Sequence, residues 1–227
     1  MDFTKYASML TKQALFFCRI DKLGDQYEMS MPIENIKSST EYYNNNEEII
    51  KRNLSGITLK EWNSLFDIIK PSVLINSWHR NDYESAAMWS IYLKTNEGIA
   101  IQSTYKKLCD SFNLTDDEIN IGTVSYKDYQ MDRIDDETLF GYASHKLKSY
   151  EYERELRAML TNQTDGSQKP LYEVGKNVPV VLDTLVECVY VAPNAQKWYG
   201  ELVIDLTKRL GYNFPIKMSS LNDRSLH

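Results

Sequence analysis

The sequence predicts an α+β (mixed α/β) fold, a single domain with a central mixed or antiparallel sheet flanked by helices and one helical insertion. Three observations predict it. Short apolar runs of strand length alternate with helical patterns along the chain. No segment repeats, which excludes a solenoid. Among 227 residues, 42% are hydrophobic and 16 are Tyr, enough to bury a core and to offset the entropy of ordering. The domain is expected over 1–221, with a polar helical excursion at 34–70 and a frayed tail at 222–227.

Element by element, a short helix is expected over 4–12, then a strand in Ala14 to Ile20 (ALFFCRI) that ends at the turn around Gly24. The excursion is Asn-rich and charged, with the NNN run read as a hinge or loop. Trp62, Leu65, Phe66 and Ile69 stand at helical spacing before Pro71 ends it. A strand follows at 73–78, a helix at about 83–94, a strand at 98–103 and a short helix at 105–112. Beyond these come a strand or strand pair at 119–129, a helix at 136–146, a strand carrying Glu153, and the turn cluster TNQTDGSQKP. The run VPVVLDTLVECVYVAP supplies one or two buried strands, 194–211 an amphipathic helix closed by Gly211, and 216–221 a last strand.

Composition narrows the function. The net charge of -6 and a pI near 5.2 remove the general attraction on which sequence-independent nucleic-acid binding relies. Cys18, Cys109 and Cys188 lack CxxC spacing and read as free thiols of a reducing compartment, so a cytoplasmic address is expected. The segment MDFTKYASML lacks the apolar stretch of a secretory signal, and no apolar run reaches membrane-spanning length, so no membrane partner is expected. Phosphate-cradling glycine loops, HExxH, GxSxG and CxxC pairs are all missing. With His79, His145 and His227 as the only histidines, a multi-histidine metal centre is not expected, and no metal ligand is assigned.

Two stretches carry the chemistry. The first is Val73 to Leu108, which brings Trp78, His79, Glu84, Trp89 and Gln102 close in sequence. His79 sits at a strand end, where sites assemble, although an imidazole donating to a backbone carbonyl would do as well there. Glu84 stands in a first helical turn, where the helix dipole favours a carboxylate in any protein. Trp89 stands at core-packing spacing. The second stretch is Tyr150 to Leu160, where Glu151, Glu153, Glu155 and Arg157 alternate and would share one face of a strand. Two like charges on one face call for compensation: Arg157 on that face, Lys146 or Arg19 across the sheet, a metal ion or a cationic substrate. Crowding raises one carboxyl's proton affinity, which suits acid/base work. An exposed face laced with ion pairs is the plainer alternative.

The segments ALFFCRIDKLGDQYE, NSWHRNDYESAAMWSIYLKTNEGIAIQSTYKKL and HKLKSYEYERELRA resemble the bacterial family catalogued as domain of unknown function 2971. The resemblance runs from about Lys5 to Leu221 outside the Asn-rich excursion. It implies a cleft whose polar positions are Asp25, Glu28, Asn76, Trp78, His79, Glu84, Ser85, Trp89, Tyr92, Gly98, Gln102, Lys146, Glu153, Glu155 and Arg157. Ser77 stands where the family often has Cys, which argues against an obligatory thiol nucleophile. Leu147 stands where a second basic residue is common.

Three functions are compatible with these residues. In an enzyme similar to ADP-ribosyltransferases of the arginine-serine-glutamate type, which use NAD as donor, Arg19 would hold the pyrophosphate and Ser77 would orient the carboxylate. Glu155 would stabilise the ribosyl cation and Glu153 would activate a macromolecular acceptor. The wider site would take catalytic help from His79 and Glu84, and binding contacts from Trp78, Trp89, Gln102, Lys146 and Arg157. In a nuclease or phosphotransfer enzyme, Asp25, Glu28, Glu84, Glu153 and Glu155 would carry Mg²⁺. In a binding module the same cluster would recognise a nucleotide or a protein. A bacterial or phage-conflict setting follows by analogy alone.

Overall fold

Side-chain caps begin several helices where the chain offers Asp, Ser or Thr. In the computed structural model, which describes residues 1–93, 95–162 and 171–222, Asp2 accepts from the Lys5 amide and opens helix α1 (Phe3–Lys12), followed by strand β1 (Ala14–Arg19). The excursion is helical: α2 (Ile33–Asn45), α3 (Glu47–Asn53), α4 (Leu59–Asn63) and α5 (Leu65–Ile69). The NNN run is less of a loop than expected. Asn44 and Asn45 complete α2, and only Asn46 interrupts before α3. A reciprocal capping box of Thr58 and Glu61 starts α4.

Next come β2 (Val73–His79), α6 (Ala86–Tyr92), β3 (Ile99–Gln102), α7 (Tyr105–Ser111), β4 (Asn120–Thr123), β5 (Ser125–Lys127), α8 (Leu139–Ala143) and β6 (His145–Leu147). The chain continues through β7 (Glu155–Thr161), β8 (Gly175–Pro179), α9 (Leu182–Leu185), β9 (Cys188–Val191), α10 (Lys197–Arg209) and β10 (Ile216–Met218). Helix α6 is shorter than its periodicity suggests because Ser85 caps it, accepting from the Met88 amide. Helix α8 is shorter because Thr138 caps its start and residues 145–147 leave it to pair in parallel with β5. The turn cluster is described only for Thr161 and Asn162, and of the tail only Asn222, within a 3-10 turn, is described.

An α+β architecture results, with a five-stranded antiparallel sheet in the order β4-β7-β2-β1-β8 flanked by helices. A three-stranded sheet, β10-β9-β3, has one parallel and one antiparallel pairing. The chain gathers into two compact units, each stitched from separate segments. One takes 1–16, 81–117 and the chain from 177 on; the other takes 17–80 and 118–176. In the first unit Tyr6 is fully buried and its hydroxyl meets Thr207 Oγ1 at 2.7 Å.

The second unit owes its core to register. Strand β2 pairs antiparallel with β7, so Ile75 faces Met159, Ser77 faces Arg157 and His79 faces Glu155. Directly opposed residues project to one side of a sheet and their neighbours to the other. On this side Val73, Ile75 and Met159 pack with Ile20, Met29, Ile134, Tyr142 and Ala143. Farther along the same face the side chains are polar, and they build the site. No helix among the described residues is long and apolar enough to cross a membrane.

Candidate active site

Arg154 places the site's carboxylates. The chain runs as a 3-10 helix over Lys148–Glu153, then turns through Arg154 in the left-handed region (φ 43, ψ 52), and only then enters β7. A non-glycine residue adopts this conformation at a cost, and surrounding contacts must hold it there. Here the Arg154 carbonyl accepts from the Arg80 amide at 3.0 Å and the Glu153 carbonyl meets His79 Nδ1 at 2.6 Å. The expected alternation along one strand therefore begins at Glu155. Glu151 is exposed on the 3-10 turn, while Glu153 is folded back so that its carboxylate reaches the same ammonium as that of Glu155.

Five nearly buried charged groups interlock: Glu28, Lys146, Glu153, Glu155 and Arg157, none more than 7% exposed. Lys146 Nζ donates to Glu153 Oε2 at 2.6 Å and Glu155 Oε1 at 2.9 Å, with Glu28 Oε1 at 3.4 Å. Arg157 makes a fork onto Glu28 (2.8 and 2.9 Å), donates through Nε to Glu155 Oε2 at 2.9 Å, and donates to the Ala143 carbonyl that ends α8. The Tyr126 hydroxyl accepts from the Glu155 amide. Tyr150 lies against Lys146, 4.6 Å from ring centroid to Nζ.

The two glutamates hold protons with opposite strength. Burial raises the pKa of Glu153, and its contact with ionised Glu155 adds to that, against the pull of Lys146. For Glu155 burial also acts upward, but the charge and hydrogen bond of Arg157, aided by Glu153 and Lys146, outweigh it and hold the carboxyl far below its usual range. Burial would strip the cations of their protons; their carboxylates win instead and raise both Lys146 and Arg157. Tyr129, close by and buried, is raised by burial and then by the charges of Glu28 and Asp25.

His79 joins this cluster through its backbone-carbonyl contact, the structural role open to it from the sequence. Because a carbonyl only accepts, Nδ1 carries the hydrogen, and Nε2, also buried, is left without a partner. Ser77 lies on the same face opposite Arg157 but is exposed. Arg19 does not join. It is paired with Leu74, so it projects from the other face, and its guanidinium holds Asp21 at 2.7 and 2.9 Å. Trp78 is on that other face too, donating to Asn76.

Glu84, Trp89 and Gln102 belong to the first unit. There Glu84 accepts from Trp89 Nε1 and from the amide and hydroxyl of Ser220, which ties α6 to the turn after β10. Gln102 is an exposed residue of β3 opposite Cys188. Glu28, Glu153 and Glu155 turn toward Lys146 and Arg157, whose positive charges take the place a divalent cation would need. Among the described residues no group of three or more His, Cys, Asp or Glu could hold a metal ion.

Comparison with protein-family models, curated proteins and solved structures finds no match to this chain. Sequence reasoning missed Tyr126, Tyr129, Tyr150 and the turn at Arg154. The first two stood inside a segment read only as strands, and nothing in the residue type of Arg154 announces a left-handed turn.

Proposed function

We propose that this chain is an NAD-using transferase of the ADP-ribosyltransferase kind, with Glu153 and Glu155 as its catalytic pair. The observation that carries the reading is the convergence of these two carboxyls on Lys146 with proton affinities pushed apart, the pattern by which neighbouring carboxyls divide acid/base and electrostatic labour. Ionised Glu155 supplies fixed negative charge for an oxocarbenium-like ribosyl centre. Glu153, whose proton affinity burial raises, takes the proton of the acceptor.

Two assignments change with the geometry. The pyrophosphate falls not to Arg19 but to the exposed Arg80 and Arg154, joined by their backbone hydrogen bond at the edge of the cluster. Lys146 and Arg157 act as positioning residues for the glutamates. Tyr150, which lies against Lys146, and Tyr152, whose ring is 6.3 Å from that of Tyr150, offer stacking surface for a flat base. A nucleotide donor, a macromolecular acceptor and a reducing cytoplasmic setting complete the reading; Cys18, Cys109 and Cys188 are unbridged thiols.

The test is nicotinamide release from NAD, followed by chromatography with purified protein and a cell lysate. The wild type should release nicotinamide. Glu155→Gln should lower the rate by about 10²–10⁴-fold while Arg19→Ala leaves it within about twofold. If wild-type protein leaves NAD intact, the transferase reading is wrong.

A further inference from the structure

Two buried polar atoms beside the glutamate cluster have no hydrogen-bond partner: Asp25 Oδ2 and the Tyr129 hydroxyl. Tyr129 is 5% exposed, so its hydroxyl is shielded from bulk solvent by the fold, and such groups are rare unless a ligand or an ordered water meets them. The two belong together. Asp25 and Glu28 form one turn, with the Glu28 amide donating to the Asp25 carbonyl, and both carboxylates bear on the Tyr129 phenol. Tyr27, from the same turn, packs edge-on against Tyr129 (6.4 Å, 84°) and its amide donates to Asp25 Oδ1 at 2.9 Å.

Charge decides what would fit. Glu28, Glu153 and Glu155 face two cations, Lys146 and Arg157, and Asp25 adds a fourth carboxylate from the turn of Glu28. One proton shared by the Glu153–Glu155 pair still leaves a negative charge uncompensated, and Asp25 is the carboxylate that meets no cation among the described residues. We propose that Asp25 and Tyr129 form a subsite for a primary ammonium group, which would donate to Asp25 Oδ2 and the Tyr129 hydroxyl and complete the charge balance. A guanidinium fits less well, because its five N–H donors exceed the two unpartnered acceptors by more than the three of an ammonium do. A quaternary ammonium has no N–H to give. The ammonium comes from a lysine side chain or a small polyamine. The subsite goes beyond the transferase reading and does not need it, since it concerns binding alone.

An NMR titration with n-butylammonium tests it. Saturable binding is expected, at least about tenfold tighter than for guanidinium or tetramethylammonium at matched ionic strength. Asp25→Asn and Tyr129→Phe should each weaken it by about tenfold or more without lowering Tm, because neither removes an intramolecular hydrogen bond of the affected atom. No saturable butylammonium binding, equal binding of tetramethylammonium, or binding unchanged in both variants would overturn the subsite; the three-probe comparison needs only wild-type protein. Displacement of butylammonium by a lysine-containing peptide or by putrescine supports the subsite and names the source. Because NAD is not involved, this result and nicotinamide release succeed or fail separately.

Discussion

On one face of the β2–β7 pair an apolar group and a charged group are both buried and differently made. In the first, Ile75 and Met159 are each 3% exposed and pack against apolar neighbours. In the second, Arg157 is 0% and Glu155 5% exposed, and nearly every contact is a charged hydrogen bond. The apolar group is held by area removed from water, which is non-directional, so losing one side chain costs in proportion to its size. The charged group is held by mutual compensation. Each ion has lost its hydration, so removing one strands the others in a medium that solvates them poorly.

The largest expected effect is in the charged group. Arg157→Leu leaves Glu28 and Glu155 without their principal cation and should destabilise the fold by about 3–5 kcal/mol in denaturant melts. A loss under about 1 kcal/mol would show that solvent reaches the cluster and that the contrast between the two groups is false. Next, Ile75→Ala should cost about 3 kcal/mol, the usual range for a buried isoleucine, with no change in the ionisation of the glutamates.

A third prediction concerns pH. The pKa of Glu155 is depressed, so its contribution to stability is present above the ordinary glutamate value of 4.5 and is lost as pH falls below it. The pKa of Glu153 is raised, so its contribution is greatest when it is protonated and declines as pH rises from 4.5 through that raised value. Glu153→Gln, which cannot ionise, should lack this decline, and Tm measured from pH 4.5 to 8 for both proteins checks it. Parallel curves would mean that Glu153 titrates as an exposed carboxyl does. The smallest effect is expected at the bend. Arg154→Gly relieves a left-handed backbone at a site exposed to solvent and should change stability by no more than about 1 kcal/mol, and upward.

Much of this was legible in the chain. Apolar runs at Ala14–Arg19 and Val73–His79 formed the strands their β-rich composition calls for, and the pattern of Glu153, Glu155 and Arg157 with Lys146 flagged the carboxylates and their compensating cations. The capping preferences of Ser85 and Thr138 were legible too, but their power to shorten α6 and α8 shows only once the flanking residues have other partners. Arg19 is the instructive case. It stands on a strand next to the strand of Ser77, yet a register that pairs it with Leu74 sends its side chain through to the opposite face.

By itself, then, the sequence determined where most helices and strands form, that they make an α+β mixture, and that the Glu-x-Glu pair requires positive charge beside it. Local propensity and like-charge repulsion act over a few residues and can be read there. Only the tertiary structure decided which cations answer the carboxylates, that Glu28 joins them from more than a hundred residues away, that Arg154 bends Glu153 back to Glu155, and that Asp25 Oδ2 and the Tyr129 hydroxyl are left buried and unpartnered. Strand register and desolvation make those decisions, and both are properties of segments brought together, which no single segment contains.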